Sequence, residues 1–112
     1  QALENGFSDV ENSAGRFPQV SGLVVTADLG KPKGERVQSV TVDGKPLDKA
    51  ASYTLATNDY MMDGGDGYKV LKGAKPLFGV RDARLMANDV MAYVKEKGTG
   101  GVKAGGRIIL KK

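Results

Sequence analysis

The chain has 112 residues, enough for one small domain or part of one and too few for two independent cores. Seventeen Lys and Arg against thirteen Asp and Glu leave a net charge of +4, without the dense basic face that makes nucleic acid the default partner. There is no His and no Cys, which excludes Cys/His zinc sites, His-assisted nucleophiles and disulfides, and leaves carboxylates, Lys, Arg, Tyr and Ser/Thr as the chemical equipment.

Sixteen glycines, about twice the usual share of ~7%, divide the chain into short elements and argue against an all-helical fold. Between Gln1 and Asn12, Leu3, Phe7 and Val10 fall on one face of a helix, which Gly6 weakens. Gln19–Asp28 is rich in β-branched residues and predicts a strand, and Arg36–Val42 predicts a second. Asp43-Gly44 is a two-residue turn signal that tolerates positive φ at both positions. Ser52–Thr57 alternates, with Tyr53, Leu55 and Thr57 on one side, and predicts a third strand completing an antiparallel meander. Asp82 is a suitable N-cap for a helix running to Lys97, with Met86, Val90, Tyr93 and Val94 as its core face and Gly98 as its stop. Arg107–Leu110 predicts a terminal strand. Two helical segments and about four strands without βαβ alternation predict an α+β fold with a mostly antiparallel sheet. No apolar run approaches the roughly 18–20 residues that span a bilayer, and the opening residues lack the pattern of a signal peptide.

The densest polar stretch is Asn58–Tyr68, NDYMMDGGDGY, directly after the third predicted strand. Gly64, Gly65 and Gly67 allow backbone conformations closed to other residues and a close approach to a ligand. An Asp in such a loop can accept hydrogen bonds from a diol. The bland alternative is a glycine-rich turn with solvated carboxylates. Tyr60 and Tyr68 either offer a stacking platform or pack on the core with the hydroxyl at the surface. Asn58, Asp59, Asp63 and Asp66 lack the spacing of an EF-hand calcium loop, and no Gly-Lys-Ser/Thr marks a phosphate loop. Phe17, between a turn and Pro18, is expected to staple the core, and Arg16 beside it is expected to be solvated.

Five segments occur in a telling order: ALENG (Ala2–Gly6), GRFPQVSGL (Gly15–Leu23), VDGKPLD (Val42–Asp48), YTLATNDYMMDGGDGY (Tyr53–Tyr68) and GRI (Gly106–Ile108). Together they resemble the C-terminal domain of the 5′-nucleotidase family, which includes UDP-sugar hydrolases and 2′,3′-cyclic nucleotide phosphodiesterases. The resemblance implies that residues 1–112 are an N-terminally truncated substrate-binding domain of a periplasmic, secreted or cell-surface hydrolase of nucleotide phosphate esters. It implies that an N-terminal metallophosphoesterase domain outside this chain carries two divalent metal ions, and that this chain holds no cofactor and is not catalytic alone. Tyr60 would stack on the base of a nucleotide or nucleoside, Asp66 would hold the ribose hydroxyls, and Gly64, Gly65 and Gly67 would let the loop close. The family's second stacking Phe and its substrate arginines precede ALENG, so the pocket in this chain is expected to be incomplete. Truncation exposes a sheet edge and apolar side chains, so self-association is expected. Neither nucleic acid nor a membrane span is expected. The alternative is a non-catalytic cell-surface or sugar-binding module, which the neighbouring domain would distinguish.

Overall fold

A computed structural model of the chain describes residues 1–112. Its centre is a four-stranded sheet in the order β3-β2-β1-β4, built from β1 (Leu23–Asp28), β2 (Val37–Val42), β3 (Lys45–Pro46) and β4 (Ile108–Lys111). The first two strands pair antiparallel from Leu23 opposite Val42 to Ala27 opposite Val37, with a register shift between Thr26 and Ala27. Asp43 (φ 50°) and Gly44 (φ 77°) both take positive φ, so the predicted tight turn forms and returns the chain into β3. That third strand is only two residues long, because Pro46 has no N–H to continue a ladder. β4 lies on the other side of β1 and runs parallel to it, Val25 opposite Ile108, so the sheet is mixed.

The meander therefore differs from the one that the sequence pattern predicts. Its third strand is Lys45–Pro46, and Ser52–Thr57 joins no sheet despite its alternation. No backbone N–H or C=O from Ser52 to Thr57 makes a hydrogen bond to any other backbone group.

The core is small: Phe7, Val25 and Ala27 are completely buried. Val25 and Ala27 are two apart on β1 and so share one face. The helix α1 (Ala2–Gly6) and the 3₁₀ turn Val10–Asn12 bring Leu3, Phe7 and Val10 onto that face, the stripe that their spacing predicts. Phe17 packs edge-on to Phe7, ring centroids 5.6 Å apart at 77°, as expected for a staple. Gly6 is buried because nothing larger fits: a Cβ there would lie 2.8 Å from Pro18 Cδ and 2.8 Å from the Tyr68 hydroxyl.

A polar clamp, not foreseen from the sequence, holds α1 to the start of β2. Both carboxylate oxygens of Glu4 accept backbone N–H groups, from Arg36 (3.0 Å) and Val37 (2.8 Å). The Arg36 guanidinium is buried, donates to the Phe7 carbonyl at 2.7 Å and forms a two-pronged ion pair with Glu11. That hydrogen-bonded pairing lowers the Glu11 carboxyl below its ordinary range and raises the Arg36 guanidinium. Asp9 is likewise lowered, by the Asn12 amide first and then by Lys33.

The stretch between β3 and β4 is open. It contains α2 (Asp59–Met62), three 3₁₀ turns and α3 (Met86–Lys97), and its only buried residue is Tyr68. The Cα radius of gyration is 15.3 Å, against about 13 Å for a compact domain of this length. α3 stops at Gly98 (φ 75°) as predicted, but it starts at Met86 with Leu85 as its uncapped N-cap. Asp82 sits in a separate 3₁₀ turn, Val80–Asp82, and does not cap α3. The stripe Met86, Val90, Tyr93 and Val94 is exposed rather than core.

Candidate functional site

The loop from Asn58 to Tyr68 begins with a capped turn. Asn58 Oδ1 accepts the Met61 N–H at 2.8 Å, which sets α2 in place and projects Tyr60 from its first turn. After α2 the chain reverses at Gly64 (φ 87°), a left-handed position that glycine takes without steric penalty. Asp66 follows with φ 50° and ψ 28°, a left-handed conformation that Asp tolerates better than most residues but that still stores strain.

Tyr60 and Asp66 are brought together. The Tyr60 hydroxyl donates to Asp66 Oδ1 at 3.2 Å. Its ring lies over Gly65, where an added Cβ would be 2.5 Å, 2.5 Å and 2.6 Å from Cε1, Cζ and Cε2. Three nearly equal distances place the glycine across the ring face rather than at its edge. Glycine at 65 is therefore what permits this ring position. Tyr60 remains 58% exposed. Asp66 is also exposed, and its second carboxylate oxygen makes no hydrogen bond within the chain.

Helix α1 fixes the other side of the loop. Asn5 Nδ2 donates to the Asp66 carbonyl at 3.0 Å, and a Cβ on Gly67 would lie 2.6 Å from Asn5 Oδ1. Gly67 is thus required both by its φ of 81° and by the close approach of α1. Tyr68 is buried and donates its hydroxyl to the Arg16 carbonyl at 2.6 Å, so that hydroxyl points inward rather than to the surface. Burial, and then the charge of Asp66, raise its pKa. The four residues Leu3-Glu4-Asn5-Gly6 divide the labour: one fills the core, one binds β2, one holds the Asp66 loop and one admits Pro18 and Tyr68.

All five candidate residues, Tyr60, Gly64, Gly65, Asp66 and Gly67, therefore lie on one short loop, with Tyr60 and Asp66 in contact. Asn5 and Arg36 escaped sequence reasoning because their partners lie 61 and 25 residues away. The ALENG segment was the one available signal for Asn5. No group of three or more Asp, Glu, His or Cys side chains is placed to hold a metal ion. No helix is long and apolar enough to cross a membrane.

Comparison with known proteins gives a consistent result. The family model described as "5'-nucleotidase, C-terminal domain" matches residues 1–73. The trifunctional nucleotide phosphoesterase YfkN of Bacillus subtilis is 43% identical over 79 residues, 66% of this chain and 5% of that protein. A snake venom 5′-nucleotidase of Gloydius brevicauda is 32% identical over 117 residues, 97% of this chain and 20% of that protein. A crystal structure of a 5′-nucleotidase precursor from Thermus thermophilus superposes with a TM-score of 0.89 at 40% identity, covering 99% of this chain and 22% of that one. This chain thus spans a fifth or less of the length of these two curated relatives.

Proposed function

The chain belongs to the family of 5′-nucleotidase C-terminal domains, and on that premise we propose that it is the nucleoside-recognition part of an exported hydrolase of nucleotide phosphate esters. The observation that carries this reading is the Tyr60–Asp66 pair: a flat, largely exposed ring, hydrogen-bonded to a carboxylate with an unused oxygen. A purine or pyrimidine stacks on such a ring, worth roughly 1–3 kcal/mol. The free oxygen of Asp66 accepts a ribose hydroxyl beside it. Gly65 and Gly67 keep the loop low enough for both contacts, and Asn5 holds the loop to the core.

The division of labour follows from the family resemblance. This chain would contribute orientation, and bond cleavage would belong to a dimetal centre in polypeptide outside these residues, where the ions would activate water; the chain itself has no His and no cluster of metal ligands. Two of the relatives are named for the reaction class, as a nucleotide phosphoesterase and a 5′-nucleotidase, and the second is named as a venom protein, which supports both the activity and the export.

The test uses the parent enzyme with AMP and with p-nitrophenyl phosphate, which has no nucleoside. Tyr60→Ala lowers kcat/KM for AMP by about 5- to 150-fold, the kinetic equivalent of the lost stacking, and leaves p-nitrophenyl phosphate turnover unchanged. Tyr60→Phe keeps most of the AMP activity. Equal losses on both substrates, or no loss on either, would remove Tyr60 from the nucleoside site.

A further inference from the structure

The two oxygens of the Asp66 carboxylate are not equivalent. Oδ1 accepts the Tyr60 hydroxyl at 3.2 Å, and Oδ2 makes no hydrogen bond within the chain. Oδ2 lies beside Gly15, where an added Cβ would be 3.7 Å away, so the turn presents backbone rather than a side chain at that point. The contact at Oδ1 is set by the loop, not by two free side chains meeting. The Tyr60 ring lies against Gly65, whose Cβ would collide with it at 2.5 Å, and Tyr60 itself starts from the turn that Asn58 caps. Asp66 is held through its backbone, where its carbonyl accepts the Asn5 amide at 3.0 Å and its φ of 50° and ψ of 28° lie in the left-handed region.

A carboxylate with both oxygens free accepts both hydroxyls of a vicinal diol, one on each oxygen. An oxygen that already accepts a hydroxyl is a poorer acceptor for a second, because the first bond draws on its charge and fills part of its surroundings. We propose that the Tyr60 hydroxyl determines sugar specificity at this site: by engaging Oδ1 it leaves Asp66 to read one sugar hydroxyl instead of two. Asp66 then favours an intact ribose diol little over a sugar with a single hydroxyl, and the ligand class widens from ribonucleotides to deoxyribonucleotides. This rests on the nucleoside reading of Tyr60 and Asp66. Its consequence is the reverse of the usual cost of deleting a polar group, since loss of the hydroxyl frees Oδ1 and sharpens recognition of ribose.

The parent enzyme tests it with AMP, 2′-deoxy-AMP and 3′-deoxy-AMP, in wild type and Tyr60→Phe. The three nucleotides share one base, so any change in stacking falls on them alike. Tyr60→Phe raises the preference in kcat/KM for AMP, over whichever deoxy analogue the wild type uses better, by at least ~5-fold, about one hydrogen bond to a carboxylate. In an Asp66→Ala background the same substitution leaves that preference unchanged. A smaller rise or a fall in the first comparison overturns the proposal, and so does an equal rise without Asp66. The two readings fail separately: a loss confined to AMP in Tyr60→Ala, with an unmoved preference in Tyr60→Phe, keeps the ring in the nucleoside site and removes only the role of its hydroxyl.

Discussion

Helix α1 has five residues and α3 has twelve, yet the shorter helix is the better anchored. A five-residue helix has no stability of its own in water, because nucleation costs more than one turn returns. α1 persists because Leu3 reaches the core, Glu4 accepts two N–H groups of β2, and Asn5 and Gly6 meet the Asp66 loop, Pro18 and Tyr68. α3 has good helix formers and a glycine stop, but none of its residues is buried. Stability in this chain is therefore held by the sheet and α1, to which residues 69–106 make no hydrogen bond. The Tyr60–Asp66 loop lies at the boundary: it is tied to α1 on one side and leads to the open stretch on the other.

That contrast is easiest to break at its centre. Phe7 is fully buried against Val25, Ala27 and Phe17, so Phe7→Ala removes the largest side chain of the core. A loss of about 3–5 kcal/mol is expected, enough to unfold a chain with so small a core. Chemical denaturation followed by far-ultraviolet circular dichroism reads it; a cooperative transition at the wild-type midpoint would mean that the core is elsewhere.

Gly6→Ala comes next. The new methyl group meets Pro18 and Tyr68 at 2.8 Å, and since a proline ring cannot swing aside, the α1–loop contact must open. The expected loss is roughly 1–3 kcal/mol, against the slight gain that alanine gives in an unobstructed helix. A rise in melting temperature would show that α1 does not pack as described.

How far the sequence reveals this contrast differs between the two regions. Residues with local causes were legible: the Leu3, Phe7, Val10 stripe, the Asp43-Gly44 turn, Phe17 as a staple and the stop at Gly98. The grouping of Tyr60, Gly64, Gly65, Asp66 and Gly67 on one loop was legible too, because these residues are close in sequence. What depends on distant partners was not. Ser52–Thr57 has the period of a strand, but period says nothing about whether a neighbour exists. Met86, Val90 and Val94 have the period of a buried face, and here nothing covers them. Asp82 matched the composition of a cap but lies one 3₁₀ turn too early. Arg36 looks like any solvated arginine until Glu4 and Glu11 come to it through the fold.

Tyr68 sharpens the boundary between the regions. Tyr68→Phe keeps the ring and loses the hydrogen bond to the Arg16 carbonyl, which leaves a loss of about 1 kcal/mol. The pH dependence adds a second reading. Burial and the nearby Asp66 hold the hydroxyl pKa above its ordinary value of about 10, so the folded chain keeps a proton that the unfolded chain gives up. The associated stabilisation is complete below pH ~10 and is lost as pH rises through the folded value. Wild type should therefore lose stability above that pH more steeply than Tyr68→Phe; parallel curves would place the hydroxyl in solvent.

The smallest effect is expected on α3, and it is the most telling for the contrast. Val90 is at the middle of the apolar stripe, and in a packed helix its replacement by serine would remove a buried side chain and add a hydroxyl. Here Val90 is 55% exposed, and the two residues have similar helix propensities. Val90→Ser should thus change the stability of the 112-residue chain by no more than ~0.5 kcal/mol, the range of ordinary surface substitutions. A loss of about 2 kcal/mol or more, the value for burying a valine, would mean that α3 folds back on the sheet and that the open stretch belongs to the core after all.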